Sequence, residues 1–275
     1  MLYPQLARFA KRWTPARLRP FARRLYDGLF VPCVLWAITA TDTVFRRTYY
    51  GRTLPPALLR FKVRGTPSGK SFVEIGKRCR DGIVAALNAC GRDPNDFRSI
   101  LDFGCGSGGT LIWLEEVAPK AALRGTDVDA DAIAWCRGNL TYAEFDTNDP
   151  LPPLRYRDAS FDLVYAVSVF THLDEQFQHE WLRELRRITA PGGCCVVTVH
   201  APDTWPTMPV MQRTELESKG HLFVEAAHDD GLFPRWYQTA FHTKRYVEET
   251  FGRYFRIVGY FEKGLANDQD VVVMQ

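Results

Sequence analysis

A doubly wound α/β fold, with a mostly parallel sheet covered by helices on both faces, is predicted for this chain by three observations. Apolar runs of strand length alternate with segments of helical periodicity from Phe72 onward. The runs are apolar at consecutive positions, as in strands buried on both faces. The first run, "SILDF", empties into four glycines within six positions, Gly104, Gly106, Gly108 and Gly109, before the next helical segment. At 275 residues, 46% hydrophobic and 24% charged, the chain has the composition of a globular protein and room for one large domain with an extension.

The extension is residues 1–70, read as helical, basic and partly apolar. Arg8, Lys11, Arg12, Arg17, Arg19, Arg23 and Arg24 precede the first acid, Asp27. The apolar stretch behind them, "GLFVPCVLWAITAT", is interrupted by Pro32 and shorter than the roughly 20 residues of a spanning helix. "ITAT" is a poor cleavage site, which argues against a signal peptide. Basic residues beside Trp13, Phe21, Leu25 and Phe30 suit peripheral contact of residues 1–40 with an anionic bilayer face; a solvated helix packed on its own domain is the other reading. A net charge of +3, with no RNA-binding signature, argues against a nucleic-acid partner. Seven cysteines, odd in number and without a C-x-x-C pair, indicate neither a disulfide framework nor zinc and suit a reducing cytoplasm.

The boundary falls at "RGTPSGKS", where Gly, Pro and Ser cluster. Phe72, Ile75, Cys79, Ile83, Ala86 and Leu87 then recur at helical spacing, and Gly91 marks the stop. After "SILDF" and the glycines, "GTLIWLEEVAP" reads as a helix ended by Pro119, "ALRGTDVD" as a strand, "ADAIAWCRGNL" as a helix and "TYAEF" as a short strand. "SFDLVYAVSVF" is an apolar strand. "DEQFQHEWLRELRRIT" puts Phe177, Trp181, Leu185 and Ile188 on one helical face, with "RELRR" on the polar side. "APGG" is expected to stop that helix before the buried strand "CCVVTVH", in which Cys194 and Cys195 act as small hydrophobes. Residues of about 201–240, broken by Pro202, Pro206, Pro209 and Pro234, are expected to form a lid-like insertion with little regular structure. "HTKRYVEETFG" is a helix. "YFRIVGYFE" and "QDVVVMQ" are strands joined by a loop too short for a helical crossover, which predicts an antiparallel hairpin at the sheet edge.

A strand feeding glycines into a helix lets backbone approach a ligand where a Cβ would collide with it. Gly104, Gly106 and Gly109 satisfy G-x-G-x-x-G, and Asp127 ends the next strand where ribose hydroxyls would be taken. A dinucleotide or another adenosine cofactor fits that pattern. Asp102, two positions before Gly104, would repel a pyrophosphate and attract a cationic amino-acid group.

In order and spacing, "LDFGCGSG", "GTDVD", "SFDLVYAVSVFTHL" and "ELRRITAPGGCCVVTV" resemble the successive motifs of class I S-adenosylmethionine-dependent methyltransferases. The resemblance runs from Phe72 to Gln275 and implies a Rossmann-like sheet with a C-terminal hairpin over residues 71–275. "WCRGNL", "SVFTHL" and a terminal "QDVVV" resemble a bacterial subgroup whose acceptors are mostly unassigned. The resemblance implies that Asp102 and the backbone of Gly104, Cys105 and Gly106 hold the methionine part of S-adenosylmethionine, with Gly108 permitting the turn. It implies Asp127 for the ribose, Val128 against the adenine, and Asn148 at the adenine edge, with Asp146 or Asp149 as substitutes. Val167 and Ser168 would border the sulfonium and acceptor pocket.

A hydroxyl or amine acceptor must lose a proton, and a histidine suits that task. His172 follows the "FDLVYA" strand and His200 ends the next one, at the same carboxyl edge, so both are candidate bases. His221, His228 and His242, with Trp236, Tyr237 and Gln238, fall in or beside the insertion; their spacings match no zinc pattern, and no metal is expected. The expected activity is methylation, oxygen favoured over nitrogen, of a small molecule or of a glycan or lipid precursor in the cytoplasm. A nicotinamide-dependent oxidoreductase and a non-catalytic cofactor-binding protein are the alternatives; Asp102 and the lack of a Tyr-x-x-x-Lys relay argue against the first.

Overall fold

The computed structural model describes residues 31–44, 48–116, 118–201, 208–224, 238–266 and 268–275. The basic run from Arg8 to Arg24 and its neighbouring aromatics lie outside the described residues, as do His228, Trp236 and Tyr237.

Helix α1 (Val31–Val44) leads to a two-stranded hairpin of β1 (Thr48–Tyr49) and β2 (Arg52–Thr53), then to α2 (Ala57–Arg64). Arg60, 1% exposed, knits this segment together. Its guanidinium donates to the Asp42 carboxylate at 2.6 Å and to the carbonyls of Pro55 and Pro67 at 2.7 Å each, a use of the rigid donor fork that lysine would not reproduce. Helix α3 (Gly69–Ala89) starts inside the expected linker because Ser68 caps it, its hydroxyl accepting from the Ser71 amide. Tyr49, Leu54 and Val63 pack against the same core as α3, so the end of the expected extension is part of the domain's packing.

Strand β3 (Ser99–Phe103) delivers the glycines. The helix expected over "GTLIWLEEVAP" is instead a single 3-10 turn, Leu111–Trp113, followed by further turns. Trp113 accounts for the difference. Its indole N–H donates to the Val73 carbonyl at 3.1 Å and its carbonyl faces Arg80, while the amides of Trp113 and Leu114 bond three residues back.

Next come β4 (Ala122–Asp127), α4 (Ala130–Asn139), β5 (Ala143–Thr147), β6 (Phe161–Ala166), α5 (Glu175–Ile188) and β7 (Thr189–Val199). On α5, Trp181, Leu185 and Ile188 are buried as their spacing requires. Its expected polar side is not wholly exposed: Glu184 is 6% exposed and accepts from the Leu154 amide and from Arg187. "APGG" does not stop α5. The helix ends at Ile188, and "APGG" lies inside β7, where the pairing with β6 absorbs it as a register shift.

The insertion is more regular than expected. It contains α6 (Val210–Lys219) and a two-stranded antiparallel pair of β8 (His221–Val224) and β9 (Thr239–His242), because Met208, Leu216, Leu222 and Phe241 bury one another as a small core of their own. Helix α7 (Lys244–Phe251), β10 (Ile257–Leu265) and β11 (Gln269–Met274) complete the chain.

The main sheet has the order β10-β11-β7-β6-β3-β4-β5. β3 to β7 run parallel, and the closing hairpin is antiparallel at the edge, as its short loop requires. Ile100 and Tyr165 point to the face covered by α3; Leu101 and Val164 point to the face covered by α5 and α7. The order reverses at β3, whose carboxyl end is therefore a crevice, the place where open α/β sheets bind ligands.

Candidate functional site

The crevice is shaped by the end of β4. The Thr126 carbonyl accepts from the amides of both Gly104 (2.8 Å) and Cys105 (3.0 Å), and the Asp127 carboxylate accepts from the amides of Gly106 (2.7 Å) and Asp129 (2.8 Å). Gly104 and Gly106 adopt φ values of 74° and 52°, so the turn needs residues without a Cβ. Gly108 closes it, donating to the Cys105 carbonyl at 2.9 Å. From below, α3 comes so near that a Cβ on Gly76 would lie 1.8 Å from the Gly109 carbonyl oxygen.

Asp102 is 2% exposed and pairs in register with Gly125 and Tyr165. Burial, then the carboxylates of Asp102 and Asp127, pushes the Cys136 thiol up to about 12 and holds Cys105 well above its usual range, so neither is a thiolate at neutral pH. Burial also raises Asp127, against the pull of its backbone donors. A carboxylate offers about four acceptor sites. The amides of Gly106, Asp129 and Val128 take three of those at Asp127, so capacity for a hydroxyl remains.

Val128 is half-buried just past the strand end. Asn148 is joined to the same strand: its amide N–H donates to the Asp127 carbonyl, its side-chain oxygen accepts from the Thr126 hydroxyl at 2.8 Å, and its NH2 donates to the Asp149 carbonyl. Asp146 is engaged by Tyr156 and Arg137.

The second group stands on β6 and β7. Val167 packs on the α3-side core. Ser168 holds a φ of 57°, a strained value for a non-glycine residue of the kind that collects at functional sites. Its amide donates to the Thr198 hydroxyl at 2.8 Å, and its own hydroxyl accepts from Gln269 at 2.5 Å. Gln269 also stands 3.3 Å from Nε2 of His200, so Ser168, Gln269 and His200 form one unit. His172 lies in a 3-10 turn with Nδ1 2.6 Å from the Gln238 carbonyl oxygen. Burial lowers His172 to about 4 and lowers His200, leaving both rings neutral at pH 7. His221 and His242 are not at this edge group. Each contacts the Gln178 amide at 3.1 Å, and they anchor β8 and β9 to α5.

A family model described as a methyltransferase domain matches residues 100–193, from β3 through the glycine turn into β7. Residues 100–193 thus carry the signature of an S-adenosylmethionine-dependent methyltransferase domain. A fatty-acid O-methyltransferase of Mycolicibacterium smegmatis is 33% identical over 138 residues, 50% of this chain and 49% of that protein. The norajmaline N-methyltransferase of Rauvolfia serpentina is 30% identical over 112 residues, 38% of this chain and 36% of that protein. The chain thus spans about half or less of these curated relatives. Among solved structures, a putative methyltransferase of Haloferax volcanii, in complex with the Trm112 methyltransferase activator, aligns with a TM-score of 0.53 at 15% identity, covering 79% of this chain and 96% of that one. An O-methyltransferase family protein from Burkholderia thailandensis gives 0.51 at 14% identity, covering 75% and 57%. These structures share the methyltransferase fold.

Three further residues contribute to this site. Lys62 and Val63 of α2 reach the turn, Lys62 pairing with Asp129 at 2.8 Å and Val63 lying over Gly106. An eight-residue helix in the expected extension carries no signal of that. Gln269 did carry one, as a polar residue opening the apolar run "QDVVVM".

The histidines give a pH test. An unfolded histidine titrates near 6.5, whereas His172 is held at about 4, so between those values the unfolded chain takes a proton that the folded one refuses. Stability is full above about pH 6.5 and falls on acidification toward about pH 4. Denaturant titrations at pH 7 and at about pH 4.5 should show His172→Gln losing about 2 kcal/mol less than the wild type on acidification. Equal losses would contradict the buried, neutral His172.

Proposed function

We propose that this chain transfers a methyl group from S-adenosylmethionine to an oxygen of a small molecule or of a glycan or lipid precursor, through a catalytic unit at residues 71–275 with a lid-like insertion at about 201–240. The observation that carries the reading is the strand-end carboxylate of Asp127 locked to the glycine turn, with acceptor capacity left for a ribose hydroxyl. When bound, S-adenosylmethionine supplies a methyl group on a sulfonium, open to in-line displacement.

Under this reading Asp127 holds the ribose, Val128 lies against the adenine and Asn148 meets its edge. Asp102 with Gly104, Cys105, Gly106 and Gly108 takes the methionine part, the buried Asp102 carboxylate drawing the ammonium electrostatically. Val167 and Ser168 border the reacting centre, where alignment and exclusion of water do much of the work. His172 and His200, both neutral, stand at this edge as the ring groups that could exchange a hydrogen bond or a proton with the acceptor. The preference for oxygen rests on these two histidines.

Peripheral contact of residues 1–40 with the cytoplasmic membrane face is part of the proposal. No described helix is long and apolar enough to cross a membrane. Support for surface contact comes from the basic start of the chain and from Trp36 of α1, which is 74% exposed.

Calorimetric titration tests the cofactor. S-adenosylmethionine and S-adenosylhomocysteine should bind, NAD should not, and Asp127→Ala should weaken the first two by about tenfold or more, the worth of one or two charge-assisted hydrogen bonds. NAD binding with no response to the sulfur compounds would overturn the reading. For the membrane, the full chain should sediment with anionic liposomes and a chain lacking residues 1–40 should not. Equal sedimentation would remove that contact.

A further inference from the structure

Gln269 opens β11, beside the end of β7, and is 6% exposed. Its side-chain nitrogen lies 2.5 Å from the Ser168 hydroxyl oxygen and 3.3 Å from Nε2 of His200. A carboxamide NH2 has two hydrogens, and here two acceptors receive them: the serine oxygen and the imidazole lone pair. A neutral ring that accepts at Nε2 carries its proton on Nδ1. His200 Nδ1 and Gln269 Oε1 are both buried and have no hydrogen-bond partner among the described residues. Leaving such groups unmet costs about 1–3 kcal/mol each, and a ligand that meets them is one reason for a fold to keep them.

His172 is held the opposite way round. Its Nδ1 faces the Gln238 carbonyl oxygen, which only accepts, so Nδ1 donates there and the lone pair sits on Nε2. The two histidines therefore offer different functions at one edge of the sheet: at His172 the lone-pair nitrogen lies opposite the anchored one, while at His200 the lone pair is already engaged and the N–H meets no acceptor among the described residues.

We propose that Gln269 is a positioning residue that fixes His200 with its proton on Nδ1, so that His200 donates a hydrogen bond to the acceptor oxygen while His172 takes the acceptor's proton. This rests on the methyltransferase reading of the site. As an acceptor hydroxyl reacts, an oxygen lone pair forms the O–C bond, the C–S bond breaks with its electron pair going to sulfur, and the hydroxyl proton ends on Nε2 of His172. Gln269 touches neither the oxygen nor the methyl group; it acts through His200.

Nitrogen NMR of the full chain, labelled at its histidine rings, tests this, with the His200 signals assigned by their loss in His200→Gln. The wild type at pH 7 should show His200 protonated at Nδ1 and bare at Nε2. Gln269→Leu should populate the Nε2-protonated form to about half or more. Gln269→Glu, whose carboxylate only accepts, should invert the tautomer outright. A wild-type His200 protonated at Nε2 overturns the proposal whether or not the variants fold, and so does an unchanged tautomer in a folded Gln269→Leu. Calorimetry with S-adenosylhomocysteine on the same wild-type sample separates the two layers. Its failure to bind, with the tautomer as expected, would overturn the role toward the acceptor and leave the effect of Gln269 on His200 standing.

Discussion

The structure depends on one junction, where the end of β4 grips the glycine turn leaving β3. Thr126 takes two consecutive amides on one carbonyl, and Asp127 takes the next free amide on its carboxylate. Three hydrogen bonds from the end of β4 to consecutive amides thereby set the backbone path of a loop that has few side chains to pack. The requirement explains the composition: positive φ at Gly104 and Gly106 excludes a Cβ on conformational grounds, and the approach of α3 excludes one at Gly76 on steric grounds. With the turn held from both sides, the crevice at the switch point is shaped by the chain's own hydrogen bonds, an arrangement that reduces the ordering cost of binding.

The second half of the site is arranged by different means. Here side chains, not glycine backbone, line the strand ends, and they are buried neutral groups whose protonation is decided by their neighbours. His172 is tied by Gln238, at the root of β9, and His200 by Gln269, at the root of β11. The His200 carbonyl also accepts the His242 amide, and His242 and His221 meet Gln178 of α5. The insertion is thus stitched to the sheet beside the two candidate catalytic rings, so its placement and their orientation are linked. Arg60 does comparable work for α1 and α2, which bring Lys62 and Val63 to the opposite rim.

Much of this was legible in the sequence, for reasons that can be named. Consecutive apolar residues marked β6 and β7, and a short loop between "YFRIVGYFE" and "QDVVVMQ" left an antiparallel hairpin as the solution. The glycines and Asp127 were legible because few residue types permit that turn. What was not legible was set by partners distant in sequence. "GTLIWLEEVAP" has helical composition, but Trp113 is claimed by Val73 and Arg80. "APGG" reads as a stop, yet it continues a strand because β6 alongside supplies the pairing. The prolines of the insertion suggested irregular chain, whereas Leu216 and Phe241, 25 residues apart, bury each other and organise α6, β8 and β9. Gln269 gave a signal, a polar residue in an apolar strand, whose meaning depended on knowing that Ser168 and His200 stand opposite.

The central claim, that the junction of β3 and β4 seats an adenosyl methyl donor, is tested most directly by a crystal structure with S-adenosylhomocysteine. A ribose hydroxyl is expected on the Asp127 carboxylate, the adenine between Val128 and Asn148, and the amino-acid tail over Gly104 to Gly106 near Asp102, with the Gly106 and Thr126 hydrogen bonds intact. A ligand seated away from Asp127, or a turn that must unfold from Thr126 to admit it, would contradict the account.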